Sequence, residues 1–492
     1  AILFFLHFGV EFKKRTRYYC IVLFLGFGGC SVTAQTLKVL LHIQWEKIMY
    51  KVITALILSL IIISCENTNE PIDTSNLLIP EITNLKVSND NVSFNWINYN
   101  TLQVDFEIDR KIEGEDYKAF VKLDYTNYGI ADTSLAKGVV AYYRIRAVYK
   151  NRTSEYAYSI PVVRYTSALV DSNFQNYYLY EAYKLNNGKF LLIGTKHYEP
   201  AMSMIFDPAS NQISNLINMP INIEGYSFNL LDNGNVFLAG GRVSDAHYKK
   251  CFIYNTQSNI WSAAADLLYL QTGNSSVKMP DGKILISGGF TSNGDITNNC
   301  QLYNPVINTW TALASLSSAR VGHAIALLPD GKVLVAGGAP LPGYTSNPCE
   351  VYDPASNTWL ATAPLNEKRS GIVSYLLPNN NVMVLENSGY SRTVEIYNTA
   401  NGMWSYGGER KNYNNIGAST QLSDGRILIV GNTSYPSNEL RVEIYYPDIN
   451  KWVQSNSIPS SAYIWSVVTS DDKRAYVFGG LDQNSVSVID LN

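Results

Sequence analysis

The stretch Leu328-Pro329-Asp330-Gly331-Lys332-Val333-Leu334-Val335-Ala336-Gly337-Gly338, followed by Val351-Tyr352-Asp353-Pro354 and Asn357-Thr358-Trp359, decides the fold. The same phrase recurs seven times with a period near 48. Its hairpin position is held by Gly188, Gly234, Gly282, Gly331 and Gly425, with Asn380 and Asp472 standing there in two copies. Aromatic marks follow in step: Phe206, Tyr254, Tyr303, Tyr352, Tyr397 and Tyr445, then Trp261, Trp310, Trp359, Trp404 and Trp452. Each copy reads as an apolar strand, a tight hairpin, an apolar strand ending at glycine, a variable loop, a strand ending in Tyr-Asp-Pro, and a strand carrying Trp. Four short strands per copy predict an all-β array.

These signatures, Asp-Gly-Lys, Gly-Gly, Tyr-Asp-Pro and Asn-Thr-Trp, resemble the kelch β-propeller over residues 165–492. The resemblance implies a seven-bladed ring, with a ring of six and one unpaired copy as the alternative. The last copy stops after its third strand, Val486 to Leu491, so residues 165–170 are expected to supply the missing strand and close the ring.

Working outward, Pro80 to Arg164 alternates apolar and polar residues, as in Val92-Ser93-Phe94-Asn95-Trp96 and Tyr143-Arg144-Ile145-Arg146-Ala147-Val148. Trp96 early, the Tyr-Arg-Ile-Arg-Ala run late and Ser154 after a turn resemble a fibronectin type III sandwich. The sequence departs from that pattern at Ala141, where such domains place a corner tyrosine. A spacer or presenting role is implied.

Met49 is the first methionine; Lys51, an apolar run from Val52 to Ile63, and Ser64-Cys65 follow it. Twelve apolar residues fall short of the ~20 that span a bilayer and fit a secretory core. Ile62-Ile63-Ser64-Cys65 resembles the lipobox of bacterial lipoproteins, which implies lipidation at Cys65 and a place in the cell envelope. The organisation is then an upstream extension (1–48) holding a second apolar run from Tyr18 to Gly29, a signal peptide (49–64), a tether (65–79), the sandwich (80–164) and the propeller (165–492).

The chain carries 38 basic and 41 acidic residues, and 1–64 holds seven of the basic ones with only Glu11 and Glu46. The remainder is therefore negative and lacks a basic run, which argues against a nucleic-acid partner. A monomer is expected, with a carbohydrate or protein ligand and the membrane at Cys65 as partners.

Strand parity puts the hairpins and Tyr-Asp-Pro turns on one face, and the loops Arg242–Lys250, Phe290–Asn299 and Ala339–Pro348 on the other. Binding residues are expected on the longer loops. There, Gly225, Gly273, Gly322 and Gly371 stand nine residues before their hairpin positions, and two residues earlier come Gln271, Arg320 and Arg369. Two arginines on neighbouring copies suit a carboxylate or sulfate; the alternative is that each bonds carbonyls of the next copy. Tyr248, Tyr344 and Tyr390 are stacking candidates.

His197, His247 and His323 map to the same face but to copies one, two and four. Ligands of one ion must converge within ~2 Å of it, so neither a metal nor a cofactor is expected; His323 also reads as a packed residue at the start of its strand. Galactose oxidase shares the propeller type, and its copper pattern includes a Tyr-His dipeptide that this chain lacks. Cys251, Cys300 and Cys349 interchange with Val394, Val442 and Val486, which marks them as small buried residues. Sugar-acid mutarotases also use kelch propellers, and Glu386, which replaces the first glycine of a Gly-Gly pair, is the candidate carboxylate of that reading. A binding or scaffold protein is the leading expectation, and a sugar-modifying enzyme the alternative.

Overall fold

A computed structural model gives the architecture. The structure describes residues 5–12, 15–22 and 77–491, apart from 172–176, 197–200, 221–224, 244–245, 341–346, 387–392, 411–414, 433–439, 459–463 and 480–484. The chain divides into two compact parts, residues 1–74 and 75–492. In the first, Phe5–Phe12 pairs antiparallel with Arg15–Val22, so part of the apolar run that starts at Tyr18 forms a strand. Cys65 and the tether up to residue 76 lie outside the described residues.

The second part opens with a β-sandwich. One sheet pairs Glu81–Val87, Val92–Ile97 and Gly129–Asp132; the facing sheet is built on Asp105–Ile112, Lys118–Leu123 and Val140–Tyr149. The period-two alternation drives this layering, because Phe94, Trp96, Phe106, Ile108, Tyr143 and Ile145 all turn inward into one core. Trp96 meets Phe106 edge-on at 5.2 Å. Ala141 is buried and has no hydroxyl to offer. Tyr143, two residues on, instead donates across the core to Asp132 at 2.6 Å, and Asp132 also holds Arg110 at 2.7 Å.

Among the described residues, seven four-stranded antiparallel units follow. Unit one is Tyr177–Lys184, Phe190–Lys196, Ala201–Asp207 and Gln212–Asn218. Units two to six begin at Ser227, Ser275, Ala324, Ile372 and Asn415, and unit seven begins at Ile464. Innermost strands pack on one another from unit two through unit five, and that of unit seven packs on those of units six and one. Unit seven has three strands of its own, and Thr166–Asp171 pairs antiparallel with Ser485–Asp490 as its fourth. The chain's last strand is therefore paired on both sides, by Arg474–Gly479 of its own unit and by a strand that precedes the first unit.

The repeated Tyr and Trp pack together in units two to six. Tyr303 lies 5.0 Å from Trp310, and Trp310 Nε1 donates to Ala265 O of the preceding unit at 2.9 Å. Tyr303 Oη donates to Asn308 Oδ1 at 2.9 Å, and Ala265 N to the same oxygen at 2.8 Å. Asn308 has φ 52°, a left-handed turn that asparagine tolerates. Tyr352, Asn357 and Trp359 repeat the arrangement one unit on.

Sandwich and ring share more than a linker. Val162 pairs in parallel with Gln454 of unit six, and Val140, Val163 and Tyr165 enter one core with Leu422, Val453 and Ile489. Tyr165 N donates to Asn456 Oδ1 at 3.0 Å, and Asn89 brackets Ser167 with two hydrogen bonds of 2.8 Å. Packing is continuous across residue 165, the boundary expected from the sequence.

Candidate functional site

On the loop-bearing face, glycines carry the chain from unit to unit. Gly371 N donates to Gly322 O at 2.8 Å, and a Cβ on Gly322, at φ +64°, would meet Gly371 N at 2.9 Å. Only glycine permits that approach. The second glycine of each pair completes the seam: Gly289 N donates to Arg320 O and Gly338 N to Arg369 O, at 2.9 and 2.8 Å.

The arginine side chains turn back into their own units. Arg320 Nη2 pairs with Glu350 Oε1 at 2.5 Å and its Nη1 donates to Pro348 O at 2.8 Å, with 1% of the residue exposed. Arg369 Nε pairs with Glu395 Oε1 at 3.0 Å, and its Nη1 and Nη2 donate to Thr393 O and Oγ1 at 2.8 and 2.6 Å. Gln271 Nε2 donates to Gly288 O and Asn299 O, each at 2.8 Å, and its Oε1 accepts from Gln301. This corrects the expectation of an anion clamp. The polar groups of Gln271, Arg320 and Arg369 are buried and engaged within their own units, by residues at the second and third strands and, for the arginines, by Ser318 and Glu367 just before them, not by the next copy.

His323 is buried too. Its Nε2 lies 2.8 Å from Ser287 Oγ, and burial drives the imidazole down to about 3, so it is neutral and packed between units three and four instead of facing a ligand. Glu386 is half-buried; burial raises its carboxyl above the ordinary value, opposed by the Arg369 charge and a backbone hydrogen bond from Ser370. Tyr248 is half-buried on its loop, its N–H donating to Gly241 O at 2.9 Å. Tyr344, Tyr390 and His197 lie outside the described residues, as does the side chain of His247.

Two features escaped the sequence reading. The first is the acid partner of each arginine: Glu350 and Glu395 directly follow the Cys/Val position of their third strands, and Arg410 pairs with Glu443, which follows Val442, at 3.2 Å. That adjacency was a visible signal.

The second is Glu181, on the innermost strand of unit one. It pairs across its hairpin with Ile193, the residue before the Gly194 position. The same place is held by Ser227, Ser275, Ala324, Val373, Ala418 and Ser466 in the other units. A long acid thus enters a position that elsewhere carries a small or short side chain. Its carboxyl accepts a hydrogen bond from Tyr226 of unit two, and its buried Oε2 meets no partner among the described residues. Burial raises it to about 7, and the Tyr226 bond opposes the rise. A carboxyl poised there can take up or release a proton near neutrality.

With this geometry in view, the comparisons place the fold. The Kelch motif family matches residues 274–317. A solved structure described as a novel fungal alcohol oxidase of the AA5 family, in complex with copper, is 17% identical over 63% of this chain and 73% of that chain, with a TM-score of 0.52. The fold is kelch-like. A second structure, described as that of YjhT, is 13% identical over 57% of this chain and 98% of that chain, with a TM-score of 0.43. No curated protein matches the chain.

No three His, Cys, Asp or Glu side chains among the described residues converge to hold a metal ion. Burial pushes the thiols of Cys251, Cys300 and Cys349 up to about 12, 12 and 11, so each is protonated near neutral pH, as suits a small buried strand residue.

Proposed function

We propose that the chain is an exported lipoprotein, anchored through Cys65, in which a fibronectin type III-like sandwich presents a seven-bladed kelch propeller whose loop-bearing face binds a carbohydrate or a protein. One observation carries this reading. The residues that recur on the loop-bearing face, Gln271, Arg320 and Arg369, are engaged in holding their own units together. What differs between units on that face is the loops, the usual seat of recognition on a rigid scaffold. The seven units closed by Thr166–Asp171 and the lipobox-like run before Cys65 support the remaining parts of the reading.

A second reading, a sugar-modifying enzyme, is favoured by Glu181, whose carboxyl sits in the range a general acid or base needs. A thermal-shift screen against neutral and acidic saccharides tests the first reading. A ligand at 100 times its Kd adds ~2.7 kcal/mol. A shift without turnover is expected; accelerated anomer exchange that Glu181→Gln abolishes would replace binding with catalysis, and silence across the panel would leave a protein as the partner.

A further inference from the structure

Strands Glu81–Val87 and Val92–Ile97 run antiparallel, so the turn between them and their free ends lie at opposite poles of the sandwich. The turn pole faces the ring: Asn89 holds Ser167, and Asp90 O accepts from Arg164. At the far pole Glu81 pairs with Ile97, Asn100 Oδ1 accepts from Leu78 N at 2.7 Å, and Trp96 N donates to Tyr128 O at 3.1 Å. Leu123, which leads into the turn bearing Tyr125, pairs with Phe106 at the same end of its sheet.

This pole carries Leu78, Ile79, Ile97, Tyr99, Tyr125 and Tyr128, each between 42% and 53% exposed. A sandwich end of this size has no need to show six large apolar or aromatic side chains to water. The charges beside them are few and of both signs. Glu81 accepts from Tyr99 Oη, Asp124 is held by Thr126 and Asn127 in its own turn, and Lys150 and Arg152 follow the strand whose Val148 pairs with Asp105.

The described chain of this part begins at Leu77, on the same pole. Eleven residues, 66–76, separate it from Cys65. Fully extended they reach ~40 Å, and less in any ordinary coil. A lipid on Cys65 would therefore hold this pole within ~40 Å of the bilayer.

We propose that this pole is a membrane-contact surface, in which Leu78, Ile79 and Ile97 enter the headgroup region and Tyr99, Tyr125 and Tyr128 lie along it. Tyrosine suits that position because its ring is apolar and its hydroxyl stays wet. Lys150 and Arg152 add attraction to anionic headgroups. The inference rests on the lipid-anchor reading and goes beyond it, since a flexible tether by itself leaves the sandwich free in solution.

The mature lipidated chain, reconstituted on phosphatidylethanolamine–phosphatidylglycerol vesicles, carries a nitroxide at Tyr128→Cys or, as a control at the ring-facing pole, at Asp90→Cys. The oxygen-to-nickel accessibility ratio is expected to rise severalfold at position 128 on vesicles over detergent, to stay unchanged at 90, and to fall back at 128 when Leu78→Ser and Ile79→Ser are added. Equal, water-like ratios at both positions would overturn the proposal, as would a label at 128 shielded from both reagents, which indicates a protein contact. Fatty-acid labelling of the chain against Cys65→Ala separates the two readings. Labelled Cys65 with a water-like position 128 sinks only this inference; unlabelled Cys65 removes the anchor and the inference together.

Discussion

Two buried carboxylates of the ring have opposite surroundings. Glu395, in unit five, lies against Arg369 and accepts from its Nε and from the N–H groups of Asn366 and Glu367. Among the described residues Glu181, in unit one, accepts from Tyr226, and its buried Oε2 meets no partner. Burial penalises the charged form in both places. A guanidinium and two amides offset that cost at Glu395 and make it a structural staple, whereas a single hydroxyl leaves Glu181 to be relieved by a proton. The comparison teaches that on a repeating scaffold an acid outside the repeat's polar pattern can sit where burial favours its protonated form.

The largest effect is expected from Glu395→Ala, which removes the fully buried carboxylate that accepts from Arg369 Nε and leaves the more exposed Glu367 to pair with its Nη2. Loss of such a partner costs ~3–5 kcal/mol, read by urea denaturation. A loss below ~1 kcal/mol would erase the contrast by showing that the pair holds nothing together.

Next comes the pH dependence tied to Glu181. Its folded value of about 7 stands above the ordinary 4.5, so the native state holds the proton more tightly than the unfolded chain. The stabilisation is complete below pH ~4.5 and is lost as pH rises through about 7, by on the order of 3 kcal/mol in all. Urea midpoints between pH 4.5 and 8 should fall with that sign in the parent and lose this component in Glu181→Gln. A parent and variant that respond alike would place Glu181 among ordinary solvated carboxylates.

The smallest effect is expected from Asn308→Ala, which removes an uncharged acceptor shared by Tyr303 and Ala265 and a residue suited to positive φ. About 1–2 kcal/mol should be lost, with no pH dependence. A pH-dependent loss would show that the unit seams are electrostatically coupled, which the comparison denies.

Most of the fold was legible in the chain. The hairpin glycines, the Tyr and Trp marks and the missing last strand each repeat at fixed spacing, and Thr166–Asp171 fills the gap left by a copy that ends one strand short. The candidate site was legible only in part. Arg320 and Arg369 were recognisable as a repeated pair on the loop-bearing face, yet their acids lie 30 and 26 residues downstream on another strand. Spacing put the arginines on a face, but the direction of a long side chain depends on what it can pair with inside. Glu181 was missed because its significance lies in register. Only its pairing with Ile193 reveals that it stands where the other units have serine, alanine or valine.

The sequence by itself determined the all-β class, the four-stranded repeat and the residue types that each turn and seam require, because hydrophobic period and backbone freedom are local properties. Tertiary structure decided which polar groups are spent and which are left over. That decision depends on burial and on partners brought in from distant strands, and the energy of a charge is set by its surroundings. It turned an expected pair of ligand-facing arginines into internal staples, merged the sandwich with unit six through Val162 and Gln454, and singled out one carboxyl, Glu181, beside a single tyrosine.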